Sequence, residues 1–90
     1  MLLCALAAEA QTQRVAVDAT AHAERVLANM PRFEQIQHEQ PTKTVDTADR
    51  SLDALERRLP TADALKSADA ASIQAILAAL NFFVYITQNI

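Results

Sequence analysis

Apolar side chains recur along this chain at steps of three and four, and prolines divide the pattern into helical segments. From Leu2 to about Asn29, the residues Gln11, Arg14, Asp18, His22, Arg25 and Asn29 form one polar face. Opposite them lie Ala5, Ala16, Ala19, Ala23, Val26, Leu27 and Met30. This apolar side is mostly alanine. It lets a neighbouring helix approach closely but buries little area per turn, so it requires partners with large side chains. Pro31 lacks an amide hydrogen and disfavours helical geometry at Met30, which ends or kinks the helix there.

A short corner helix is expected over 32–39, where Phe33 and Ile36 sit three apart, and Pro41-Thr42-Lys43 reads as a loop. The next helix is expected over 45–59, capped by Thr44 or Asp46, with Val45, Ala48, Leu52, Leu55 and Leu59 forming a heptad-like seam. Pro60 stops it. Thr61 to Lys66 can add a further turn, but Leu65 is out of phase with the apolar side of the last helix. A break is therefore placed near Ser67, with Ser67 or Asp69 capping that last helix over 69–88.

The last helix dominates the pattern, because Ala70 to Ile90 carries no charged side chain. On a helical wheel Ser72, Ile76, Ala79, Leu80, Phe83, Ile86 and Ile90 cluster on one side, and Ile73, Phe82 and Val84 widen it. Gln74, Asn81 and Gln88 recur every seven residues on the opposite side, with Ala78, Tyr85 and Asn89. The result is a very broad apolar face with a narrow amide stripe.

Composition narrows the fold further. The chain has 90 residues and no glycine, where roughly six would be usual at about 7 %. Without glycine, tight hairpins, left-handed helix caps and backbone phosphate cradles lose their cheapest route. The expected fold is all-α: a small antiparallel helical bundle of three main helices plus a short corner helix, forming one helical domain over 1–90. Eight basic residues are interleaved with eleven acidic ones for a net charge of −3, which leaves no basic footprint for nucleic acid or an anionic membrane surface. Cys4 is the sole cysteine and cannot form an internal disulfide, so the compartment is left open. Met1 to Ala8 is uncharged and Ala8-Glu9-Ala10 has the small-x-small form of a signal-peptidase site. No Lys or Arg precedes the run, and a helix N-terminus is the preferred reading.

The candidate chemistry is sparse. Asp18 and His22 share a helix face, with His38 as a conceivable third ligand, but they make only half a metal site and Arg25 stands beside them. Glu34 and Glu39 flank His38 without an apolar pocket in the sequence to tune them, and Cys4 has no nearby base. Arg50, Arg57 and Arg58 are interleaved with Asp46, Asp49, Asp53 and Glu56, which describes a solvated, salt-bridged face. No catalytic, cofactor-binding or metal residue is therefore assigned.

The functional expectation comes from the last helix. A chain this short has little with which to cover it, so a protein partner or a homo-oligomer is expected to bind through Ile76, Leu80, Phe82, Phe83, Val84, Tyr85, Ile86 and Ile90. The alternative cover is internal, with the helix central among the others. A third arrangement is a small membrane-associated or tail-anchored subunit using residues 70–90, a span of the right length but with Gln74 and Asn81 well inside it.

Overall fold

A computed structural model describes the backbone of residues 2–89 and the side chains of residues 14–89. Five helices succeed one another: α1 (Leu2–Ala28), α2 (Met30–Glu39), α3 (Pro41–Arg58), α4 (Ala62–Ser67) and α5 (Ala70–Gln88). No strand occurs among the described residues, and the all-α expectation holds.

The prolines act where the local chemistry requires, but not always as stops. Pro31 lies in the first turn of α2, and Asn29 alone separates α2 from α1. The Phe33 amide still reaches the Asn29 carbonyl at 3.1 Å, so α1 and α2 are one helical path broken by a missing donor. Pro41 corrects the expected loop. It occupies the first position of α3, where its fixed φ suits the helix and its absent N–H would have been unsatisfied anyway. Gln40, kept out of the helical region by the following ring, takes the non-helical conformation that makes the corner (φ −141°, ψ 80°). The helix thus begins four residues earlier than the seam implied. Thr44 is an interior residue rather than a cap: it is fully buried, and its hydroxyl donates to the Gln40 carbonyl at 3.3 Å. The possible turn after Pro60 is a complete short helix, α4, with Thr61 accepting from the Ala64 amide.

Helix ends show how a chain without glycine closes its helices. No residue among those described has a positive φ. Asn29 and Asn89 instead turn their side-chain amides back onto carbonyls four residues earlier, those of Arg25 (2.8 Å) and Tyr85 (2.9 Å). At the start of α5, Asp69 accepts from the Ser72 amide at 2.8 Å. Hydrogen bonds from the Ser72 side chain, then its backbone, hold the Asp69 pKa below its ordinary value of 3.8.

Three long elements form an up-down-up bundle. Asp69 and Ser72 at the start of α5 share a groove with Ala16 and Val17 of α1, and at the other end Gln37 of α2 reaches the Ile86 carbonyl at 3.5 Å. The α1–α2 path and α5 therefore run parallel. The His22 ring, whose Nε2 donates to the Ser51 carbonyl at 3.2 Å, ties α1 to α3 midway, and α3 returns antiparallel to both. α1 packs most extensively on α5, and its small face (Ala16, Ala19, Ala23, Val26) is buried. Ala19 and Ala23 have no exposed surface, so the axes approach closely and the bulk is supplied from the other side. That bulk is Ile76, Phe82, Phe83 and Ile86 of α5, with Phe33 of α2 and Leu55 of α3. Phe82 packs against both Phe33 and Phe83 in tilted geometry, with ring centroids 5.8 and 6.3 Å apart.

The molecule is a rod of 56 × 20 × 18 Å with a radius of gyration of 15.4 Å, against about 12 Å for a compact chain of this length. A cross-section of 20 × 18 Å holds a triangle of helices, each about 10–12 Å across with its side chains, but not one helix ringed by others. Consequently α5 is not a central helix; it stands at a corner of the triangle with one side outward.

Candidate functional site

The step of 100° per residue, applied to the uncharged sequence of α5, separates it into two faces once the bundle is assembled. Ile76, Ala79, Phe82, Phe83 and Ile86 point into the core and are buried. Gln74, Leu77, Ala78, Asn81, Val84, Tyr85 and Gln88 point outward and are exposed. The largest apolar members of this outer face are Leu77 at 54 %, Val84 at 52 % and Tyr85 at 50 % exposure. From Gln74 to Gln88 the strip is about 21 Å long, with amides and apolar groups in alternation and no charge.

The structure divides the eight residues assigned to a partner from sequence. Ile76, Phe82, Phe83 and Ile86 are buried in the chain's own core and offer almost no surface. Leu80 is half-buried against that core. Val84 and Tyr85 are on the outer face, and Ile90 lies outside the described residues. Leu77, absent from the sequence assignment, belongs with Val84 and Tyr85. Its signal was present: it lies seven residues before Val84 and in the same stripe as Gln74 and Asn81.

The concave features are open grooves. One of about 310 Å³, at the α1–α2–α3 corner, has Phe33 and Ile36 in its wall and Arg32, Lys43, Asn29 and Thr47 around it. A second, of about 430 Å³, is lined by Glu34, Gln37 and His38 of α2 with Tyr85 and Asn89 of α5. It abuts one end of the outer strip. The histidines considered as ligands are far apart in role: His22 is engaged by the Ser51 carbonyl, whereas His38 lies beside Tyr85. No group of three or more His, Cys, Asp or Glu side chains converges among the described residues.

Comparison of the chain with protein-family models, with curated proteins and with solved structures finds no match. The functional reading therefore rests on the residues and on their arrangement.

Proposed function

We propose that this protein is a non-catalytic helical interaction module that associates with protein, in the first instance with itself, through the outer face of α5. The observation that carries the reading is the uncharged strip of Gln74, Leu77, Ala78, Asn81, Val84, Tyr85 and Gln88, lying outward on a chain in which 21 % of residues are charged. Solvated helix faces elsewhere keep to the usual pattern: the outward positions of α3 include Asp46, Asp49, Arg50, Asp53, Glu56, Arg57 and Arg58. A strip without charge avoids the heavy penalty of burying an ion, and its amides, costly to bury alone, can find partners across an interface. The strip comprises Gln74, Leu77, Ala78, Asn81, Val84, Tyr85 and Gln88, well short of the roughly 20–30 residues a side of a standard stable complex, so a weak, reversible association is expected.

A second reading has its own observation. Ala70–Gln88, with a mean hydropathy of 1.7, is long and apolar enough to cross a membrane. Against that reading, insertion would withdraw Phe82, Phe83, Ile76 and Ile86 from the core they fill and place Gln74 and Asn81 in hydrocarbon.

Sedimentation of the full chain without detergent, over a wide concentration range, tests both. The expected result is a mass that rises with concentration, and a fall to monomer when Leu77→Glu and Tyr85→Glu are introduced together. A monomer at every concentration removes the self-association reading, and a chain that stays in solution only with detergent favours the membrane reading.

A further inference from the structure

We infer that the outer face of α5 is a docking site for a second copy of this chain, laid antiparallel with the two-fold axis passing through Asn81; this rests on the self-association reading above. The face is symmetric in chemistry about that residue. Gln74 and Gln88 lie seven residues to either side of Asn81, Leu77 and Tyr85 four, and Ala78 and Val84 three, and all seven are exposed. In an antiparallel pair with Asn81 on the axis, each residue meets its mirror-numbered position. Asn81 faces Asn81, Gln74 faces Gln88, Leu77 faces Tyr85 and Ala78 faces Val84. Every layer is then amide on amide or apolar on apolar, and small Ala78 receives the larger Val84.

A parallel pair in register also matches like with like, but it sets Ala78 on Ala78 and Tyr85 on Tyr85, leaving a gap in one layer and crowding in another. It also places like helix ends together.

The occupant is set by the same chemistry. An amide is both donor and acceptor and is its own complement, and a face without charge carries no preference for an oppositely charged partner. A surface that matches its own two-fold copy meets the condition for an isologous dimer.

Cysteine cross-linking of the full chain reads the register directly. In a Cys4→Ser background, Asn81→Cys, Gln74→Cys and Gln88→Cys are each exposed to mild oxidant at a concentration where sedimentation shows association. The expected result is that Asn81→Cys links to itself. Gln74→Cys and Gln88→Cys should link when mixed, at least tenfold more than either alone. Self-linking of Gln74→Cys and of Gln88→Cys without the mixed product would mean a parallel pair and overturn the inference while leaving the self-association reading intact. Association with no link at any of the three positions would place the interface elsewhere and overturn it too. A monomer at all concentrations would remove the underlying reading and the inference with it. Asn81→Asp, which places two carboxylates on the axis at an exposed site, should weaken the dimer tenfold or more with helicity unchanged; an unaltered dimer would count against the axis.

Discussion

Neighbouring apolar residues of α5 meet opposite fates. Ile76 is buried and its neighbour Leu77 is 54 % exposed; Phe83 is buried and Val84 is 52 % exposed; Ile86 is buried and Tyr85 is half-exposed. Residue type does not separate these pairs. What separates them is which side collects the largest contiguous apolar area: Phe82, Phe83, Ile76 and Ile86 lie within one arc, and turning that arc inward removes more surface from water than any other orientation. The outer face keeps apolar residues that no part of the chain covers, and that leftover is the feature the proposed function explains.

The contrast can be broken most severely at neighbouring positions. Phe83→Asp puts a charge into a core with no partner for it, and a chain of this size, with stability of order 5–15 kcal/mol at best, should lose its helical circular dichroism. Tyr85→Asp, two residues on, should leave the spectrum native. A native Phe83→Asp variant would mean that the inner face is not the core. Next in size, Phe33→Ala, which removes the ring packed on Phe82, should lower stability by about 3 kcal/mol in denaturant titration.

A smaller effect separates close packing from mere exposure. Ala23→Leu forces a larger side chain between helices at a position with no exposed surface and should cost about 1–3 kcal/mol. The same change at the exposed Ala78 should fall within about 0.5 kcal/mol. Equal effects would show that the alanine face of α1 is not in close contact. The smallest effect concerns the entry to α5. Because the Asp69 pKa is lowered from 3.8 in the folded chain by its hydrogen bonds from Ser72, its capping contribution is present above that value. It is lost as pH falls through the folded-state pKa below it. Denaturation midpoints of the wild-type chain and of Asp69→Ala should differ at neutral pH and converge in strong acid.

Much of this fold is legible in the sequence because helices announce themselves through local periodicity. The alanine face at Ala16, Ala19, Ala23 and Val26, the amide stripe at Gln74, Asn81 and Gln88, and the break before Asp69 all come from steps of three and four and from capping chemistry. Pro41 is ambiguous in sequence because proline serves equally well in a loop and at a first helical position. Only the rest of α2 and α3 selects between them. Thr44 resembles a cap for a similar reason, since a threonine hydroxyl bonds equally well to a helix end or to the carbonyl four residues back. Tyr85 falls on the amide side in the sequence itself, but Val84 does not: Phe82 and Val84 both widen the apolar side, and only one is covered. Periodicity ranks the sides without saying how many of them neighbours will cover.

Where the chain is helical, where it breaks and which side of each helix carries the bulk depend on interactions within a few residues, and the order of residues is enough to set them. The placement of α5 at a corner of a narrow triangle, and not at its centre, is a matter of packing. That outcome depends on the cross-section that three helices and two short connectors can fill, which is a property of the whole chain. It leaves Leu77, Asn81, Val84 and Tyr85 facing outward with nothing of the chain's own to cover them.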